Sequence, residues 1–194
     1  MDNCIFSGHC INMRCDKSCP ALVETSYLLD RNGISIGNDV FHSSEEDLQA
    51  ANKLITENQG KLKVYISKNT ITSATLLTYV GICQNWKGSQ LHCTVYNLKF
   101  FQYLEAIKKS WNSGSSDNLE YTKIWASTSK LLIVSNIDFV NFKNFECQTL
   151  LELIQSRLSN PELTTIIVSP QLSALVGEGS FFSALMEILK KAAD

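Results

Sequence analysis

Short apolar runs alternate with longer amphipathic stretches along most of this chain. Four runs predict β-strands, at residues 62–66, 91–96, 130–135 and 163–169. Six segments predict helices, at residues 44–58, 72–86, 98–111, 119–128, 145–158 and 181–192. Because strands that alternate with helices form right-handed crossovers, the pattern predicts an α/β fold with a parallel sheet of about four strands flanked by helices.

The first 44 residues lack this pattern. They are rich in Cys, Asn, Gly and Ser, and they contain too few apolar residues for a conventional core. The pattern changes at Ser44, where three acidic residues follow a capping hydroxyl and predict the start of a helix. The sequence therefore predicts a small module at residues 1–44 and an α/β domain at residues 45–194.

Four cysteines within this first segment suggest a metal site. Cys4, Cys10, Cys15 and Cys19 are close enough in sequence to form a closed tetrahedral shell around Zn²⁺, which is the pattern of a structural zinc site. Metal binding would supply folding energy that the segment otherwise lacks. An iron–sulfur cluster and four unliganded thiols are the alternatives.

Composition narrows the classes of function. The chain is 44% hydrophobic and 19% charged, with a net charge of −2 at pH 7, so it has no overall basic field for nucleic acid. Any contact with DNA is therefore expected to be indirect or weak. No apolar stretch reaches membrane-spanning length, and the acidic, polar N-terminus does not read as a signal peptide. These features predict a cytoplasmic protein without disulfide bonds.

The segment at residues 64–77 has the layout of a phosphate-binding loop. An apolar strand leads into a short polar turn, and a helix follows. Such a loop needs glycines, whose backbone N–H groups approach the phosphates, and a lysine that reaches the β- and γ-phosphates. This segment contains neither glycine nor a lysine at the helix start. The alternative is an ordinary strand, turn and helix.

Three later segments follow in an order that resembles a known family. They are the apolar strand at residues 131–137, the helix and strand at residues 150–169, and the closing segment at residues 175–187. Together with residues 64–77 they resemble the AAA+ ATPases of the DnaC/DnaI helicase-loader type, especially those encoded by phages. The segment at residues 4–10 is also similar to the cysteine-bearing module with which those loaders contact the replicative helicase.

The resemblance implies positions for the nucleotide chemistry, and most of them are altered here. Alignment with the family places Ile71 and Ser73 where glycines belong, Ala74 where the lysine belongs, and Thr75 at the metal-binding hydroxyl. At the end of the third strand, Ser135 and Asn136 replace the paired carboxylates that coordinate Mg²⁺ in the family. Neither side chain carries a negative charge.

One residue of the family's chemistry is kept. Arg157 matches an arginine that acts in trans on the nucleotide of the next subunit, and its alternative role is to stabilise the end of a helix. In the family, a Ser–Arg pair opens the last helix, whereas the matching residues here are Ser183 and Ala184, so that arginine is absent. We also expect no room for the fifth strand that follows this helix in the family.

These features predict a non-catalytic pseudo-ATPase of phage DNA replication, with structural zinc and no ATP. Its expected partner is a replicative helicase or an active AAA+ loader subunit, in a homo- or hetero-oligomer. Two alternatives stay open: an active loader ATPase with unconventional motifs, and a decoy that inhibits a host AAA+ or defence protein.

Overall fold

A computed structural model describes residues 27–34, 44–85 and 95–193 of this chain. The strands are β1 (Leu62–Ile66), β2 (Val95–Lys99), β3 (Leu131–Ser135), β4 (Asn141–Phe142), β5 (Thr164–Ser169) and β6 (Val176–Gly177). The helices are α1 (Glu45–Glu57), α2 (Thr70–Asn85), α3 (Phe100–Ser113), α4 (Asp117–Thr128), α5 (Asn144–Leu158) and α6 (Ser180–Ala193). A helical turn covers residues 27–31.

The main sheet has four parallel strands in the order β1-β5-β3-β2. This arrangement confirms the predicted α/β class and the parallel sheet. Strands β4 and β6 form a separate two-stranded parallel pair. The predicted start of α1 is also confirmed, because Ser44 forms a capping box with Asp47.

The second strand lies later in the chain than the sequence pattern indicated. It was expected at residues 91–96, whereas the structure places β2 at Val95–Lys99, and residues 91–94 lie outside the described residues. The apolar run is interrupted at Asn97, and the predicted strand ended one residue before it. The strand continues through it because the buried Asn97 side chain accepts a hydrogen bond from the Ser135 hydroxyl of β3, 2.8 Å away.

Two apolar layers cover the two faces of the sheet. Alternate residues of each strand face opposite sides, so Ile133 and Ile166 lie in one layer while Leu132 and Ile167 lie in the other. The first layer contains α1, α2 and the segment at residues 27–34. The second layer contains side chains of α3 to α6. The fold therefore has three layers, with helices on both faces of a parallel sheet.

The segment at residues 27–34 belongs with the α/β domain. Leu28, Leu29 and Ile34 are buried in the same layer as α1 and α2. The predicted boundary assigned these residues to the cysteine-rich module, because a periodic pattern cannot be recognised in so short a segment. Most of the predicted module lies outside the described residues. Within the described part, no helix has both the length and the apolar character needed to cross a membrane.

Candidate functional site

The carboxyl end of β1 leads into α2 through a turn of only three residues, 67–69. The turn is held by its own side chains. The Ser67 hydroxyl lies 2.7 Å from the Ser73 hydroxyl and accepts a hydrogen bond from the Asn69 backbone N–H. The Asn69 side-chain oxygen in turn accepts from the backbone N–H of Thr72, at 3.2 Å. This polar turn therefore satisfies its own hydrogen bonds and begins the helix early.

The four predicted phosphate-loop positions all lie in the first turns of this helix. Ile71 is exposed to solvent, whereas Ala74 is only 1% exposed and packs in the core. The Thr75 hydroxyl donates to the backbone oxygen of Ile71 at 2.9 Å. Ser73 bonds to Ser67. These positions form a helix and not a loop, and a lysine at position 74 would point into the core instead of toward the turn.

The carboxyl end of β3 is neutral, as the sequence indicated. The buried Ser135 donates its hydroxyl hydrogen to Asn97, and Asn136 adopts a left-handed backbone conformation with φ of 59°. The Asn136 amide donates to the Gln102 side chain at 3.3 Å. The nearest acid, Asp138, lies on an exposed turn beyond the strand. Neither replacement residue therefore brings a carboxylate to this edge.

A row of buried hydrogen bonds joins the end of β3 to β2 and to the segment at residues 27–34. The sequence pattern did not predict it. Asn32 accepts a hydrogen bond from the backbone N–H of Asn97 at 2.6 Å, and its amide donates to the backbone oxygens of Leu28 and Val95. Asn97 then accepts from Ser135. The feature of the sequence that could have indicated this row is Asn97, an asparagine within a buried strand. The Asn32 amide acts as a substitute peptide group that closes the free edge of β2.

A polar pocket of about 300 Å³ adjoins this row of hydrogen bonds. Its wall includes Arg31, Lys99 and Gln102. The Arg31 guanidinium stacks 4.9 Å from the ring centre of Trp125 and donates to the backbone oxygen of Val95 at 3.0 Å. Through these contacts, Arg31 attaches residues 27–34 to the α/β domain.

Arg157 lies inside the protein, at the amino end of the sheet. Its side chain is 1% exposed, and burial lowers its pKa to about 10. The guanidinium donates hydrogen bonds to the Thr165 hydroxyl and to the backbone oxygens of Ala126, Ser127, Ser129 and Thr164, at 2.8 to 3.4 Å. It joins the end of α4, the end of α5 and the start of β5.

This burial contradicts the prediction that Arg157 acts in trans. A guanidinium enclosed by acceptors from the end of α4 and the start of β5 of its own chain cannot reach the nucleotide of another subunit. The helix-end position suggested an exposed arginine. The structure gives it a different role, because the buried side chain satisfies carbonyl groups that would otherwise lack partners.

Large apolar side chains are exposed at the carboxyl end of the sheet. Five of them follow the ends of strands or begin helices there, with exposures between 43% and 65%: Ile66, Ile71, Phe139, Val176 and Phe181. We call this set the carboxyl-end apolar surface. Ile66 ends β1, and Phe139 lies just beyond β3. Exposed apolar side chains that form a contiguous patch are typical of a protein contact site.

The metal prediction concerns residues that the structure does not describe. Cys4, Cys10, Cys15 and Cys19 all lie outside the described residues. Within the described ranges, no group of three His, Cys, Asp or Glu side chains is close enough to hold a metal ion. The zinc site stays a prediction.

Two solved structures are similar in fold. One is the replication initiator DnaA bound to AMPPCP and single-stranded DNA, with a TM-score of 0.55 and 13% identity, covering 74% of this chain and 43% of that chain. The other is a DNA replication initiation factor, with a TM-score of 0.51 and 16% identity, covering 75% of this chain and 45% of that chain. This chain thus matches less than half the length of either structure.

These similarities show the fold and no more. The four-stranded parallel sheet with its helices is similar in fold to both replication proteins, which agrees with the α/β core that the sequence resemblance implied. The narrower resemblance to a helicase loader stays a prediction. No family model and no curated protein matches this sequence.

Proposed function

We propose that this chain is an AAA+-like interaction protein of DNA replication that does not hydrolyse ATP. It binds a replicative helicase or an active AAA+ loader subunit, as a phage helicase loader does. Both matched structures are replication proteins, which supports the proposed setting.

The geometry of the β1–α2 turn is the observation that carries this proposal. A phosphate cradle needs several backbone N–H groups directed into an open loop. Here the turn spans residues 67–69, and the side chains of Ser67 and Asn69 bond within it. At the neighbouring strand end, Ser135 and Asn136 provide no carboxylate for Mg²⁺. The usual sources of phosphate binding and metal binding are therefore both altered.

The carboxyl-end apolar surface supports a role in binding proteins. It occupies the side of the sheet where ligands of open α/β sheets commonly bind. Exposed isoleucine, valine and phenylalanine side chains favour the apolar surface of another protein over a charged nucleotide. We propose that the partner contacts this surface and that the cysteine-rich segment, with zinc bound to Cys4, Cys10, Cys15 and Cys19, supplies a second contact.

A pull-down from the native host tests the choice of partner. The bait is the full chain, captured with and without ATP, and the matched variant is Phe139→Ser with Phe181→Ser. We expect a helicase or an AAA+ loader to be recovered by the unmodified chain and to be at least about fivefold depleted with the variant. The control variant, Ile124→Ser with Leu158→Ser, removes equally exposed apolar side chains elsewhere and should retain the partner.

Two other results of this pull-down would contradict the proposal. Recovery of a host defence protein by the same surface would indicate the decoy function. Recovery of no AAA+ protein and no helicase by the unmodified chain would contradict a role in replication through such partners.

Metal analysis tests the proposed module separately. Protein purified without chelators should contain about one zinc ion per chain, and the ion should be lost when Cys10 and Cys15 are replaced by serine. Iron with a visible absorption band would indicate a cluster instead, and absence of both metals would remove the proposed metal site.

A further inference from the structure

Strand β1 lies at an edge of the sheet, and its outward backbone groups have no strand to pair with among the described residues. The residues that pair with β5 are the odd-numbered ones, since the Ser67 N–H donates to Ser169 and the Thr165 N–H donates to Lys61. By alternation, the N–H and C=O groups of Leu62, Val64 and Ile66 point away from the sheet.

Among the described residues, the flexible side chain of Lys63 crosses the edge of β1. Lys63 begins on the face of the sheet that carries α1 and α2, yet its ammonium group donates to the backbone oxygen of Ala193 at 3.2 Å. Ala193 ends α6, which packs over β1 on the opposite face. The lysine stem therefore passes around the open edge, and the neighbouring Val64 is only 2% exposed although its outward groups lack a partner in the described ranges. Lysine is a common protector of sheet edges.

A groove adjoins this edge on the α1 and α2 face. It has a volume of about 380 Å³, and its wall includes Tyr65 of β1, Leu54 of α1 and Leu76 of α2. A strand placed beside β1 would present every second side chain toward this face. Its wall also includes Asp47, Lys53 and Glu57, so the groove is of mixed character. Leu54 and Leu76 are the part of it that can contact an apolar side chain, next to the unpaired backbone groups.

A second copy of this chain does not fit this edge. Paired strands lie about 4.8 Å apart, whereas packed helices need about 8–10 Å between their axes. Because α6 packs directly over β1, two copies joined through β1 would bring their α6 helices too close together. An extended segment without its own covering helix avoids this clash.

The charges along the edge specify the segment further. Residues 61–68 contain three lysines, Lys61, Lys63 and Lys68, and no acidic residue. We propose that the free edge of β1 binds an extended segment of a partner protein as an added strand. This segment has alternating apolar residues and acidic ends, it displaces the Lys63 side chain, and it places one apolar side chain in the groove beside Tyr65. The proposal does not depend on whether the chain binds nucleotide.

A synthetic peptide tests this site directly. The probe is a capped, labelled peptide of sequence Glu-Thr-Val-Thr-Val-Thr-Val-Glu, and the control peptide has lysine in place of both glutamates. We expect saturable binding of the acidic peptide to the full chain, at least about fivefold tighter than the lysine peptide. Hydrogen exchange should slow at the amides of Leu62, Val64 and Ile66 when the acidic peptide binds.

Three variants separate backbone pairing from side-chain contact. Ile66→Pro removes an outward N–H and also exchanges the isoleucine side chain for a ring, and we expect it to weaken peptide binding at least about fivefold. Its matched control, Ile66→Thr, keeps the N–H and should bind more tightly than the proline variant. Lys63→Met keeps an apolar stem but loses the bond to Ala193 and one positive charge. It should therefore still bind the acidic peptide, with a smaller preference for it over the lysine peptide.

Several results would overturn the proposal. The first is that the acidic peptide binds neither the unmodified chain nor Lys63→Met, or binds both without slowing hydrogen exchange at the three outward amides. A second is equal binding by Ile66→Pro and Ile66→Thr when both are folded. A third is protection that rises with protein concentration without peptide, together with a dimer in sedimentation, because the occupant would then be a second copy.

Discussion

The two ends of the sheet use polar residues in opposite ways. At the amino end, the charged side chain of Arg157 is buried and bonds to acceptors from two elements, α4 and β5. At the carboxyl end, neutral hydroxyl and amide groups bond to one another around Ser67 and Ser135. Residue type alone would place reactive chemistry at the arginine. The contacts show that the arginine stabilises the fold, and that the hydroxyl and amide groups around Ser67 and Ser135 at the carboxyl end are uncharged and bonded to one another.

This comparison explains why an arginine is a weak indicator of function. A guanidinium has five N–H donors, and those of Arg157 are used by the Thr165 hydroxyl and by backbone oxygens. Donors that are used inside the protein cannot bind a phosphate. The carboxyl end, in contrast, combines self-satisfied polar groups with exposed apolar side chains, an arrangement suited to contact with another protein.

The largest expected effect follows from removing the charge at the amino end. Arg157→Ala leaves several buried carbonyl groups without partners and creates a cavity, so the free energy of unfolding should fall by about 3 kcal/mol or more. Arg157→Lys should recover part of this loss, since one ammonium group cannot reach all the acceptors. Urea unfolding followed by circular dichroism measures both. A loss below about 1 kcal/mol for the alanine variant would contradict the structural role.

A lysine introduced at the aligned phosphate-loop position should also destabilise the protein. Ala74 is buried beneath α2, so Ala74→Lys should lower the free energy of unfolding by about 3 kcal/mol, because a charged group enters the core. The matched variant Ile71→Lys places the same charge on the exposed side of the helix and should change stability by less than about 0.5 kcal/mol. Equal stability of the two variants would show that residue 74 faces the turn after all.

Removing the side-chain cap that Asn69 provides at the start of α2 should lower the free energy of unfolding less than the substitutions at residues 157 and 74. Asn69→Ala removes the side-chain acceptor of the Thr72 N–H, and we expect a loss of about 1 kcal/mol in the free energy of unfolding. Asn69→Asp keeps an acceptor at the helix start and should remain close to the unmodified protein. If both variants unfold like the unmodified chain, the side-chain cap does not determine where α2 begins.

The smallest expected effect is a dependence of the free energy of unfolding on pH through Glu146. Burial raises the pKa of Glu146, but hydrogen bonds from Lys108 and from backbone N–H groups, with the Lys108 charge 3.0 Å away, outweigh it and bring the pKa below its ordinary value of 4.5. Because the pKa is lower in the folded state, this stabilisation is complete above the ordinary value and is lost as the pH falls through the folded value.

Glu146→Gln tests that interaction. Unfolding free energies measured at pH 7 and below pH 4 should show a smaller acid-dependent loss in this variant than in the unmodified chain. Glu162→Gln, at an exposed position, serves as the control and should leave the loss unchanged. An acid response identical in all three proteins would contradict the assigned role of Glu146.

Much of the fold could be predicted because its signals are local. The alternation of apolar runs and amphipathic helices indicated the parallel sheet, and Ser44 with the acids after it indicated the start of α1. The predicted second strand stopped before Asn97 because the partners of this residue, Asn32 and Ser135, lie 65 and 38 residues away in sequence. A polar residue can continue a strand when distant residues satisfy it, and the sequence pattern does not reveal such partners.

The candidate site was harder to predict for the same reason. The polar turn after β1 was visible in sequence, but the early start of α2 depends on the bond between Asn69 and Thr72. The direction of the Arg157 side chain depends on acceptors in α4 and β5, which only the folded chain brings together. The end of β3 at Ser135 was correctly predicted, since that strand is apolar throughout, whereas the assignment of Ser135 and Asn136 to the family's carboxylate positions stays a prediction.

A nucleotide titration tests the central claim most directly. The full chain, purified without chelators, is titrated with ATP and Mg²⁺ in a calorimeter, and an active AAA+ ATPase serves as the positive control. We predict no saturable binding up to about 1 mM ATP, because the β1–α2 turn forms no phosphate cradle and the end of β3 carries no carboxylate. Saturable binding with a dissociation constant of about 10 μM or lower would contradict the account and favour an active ATPase.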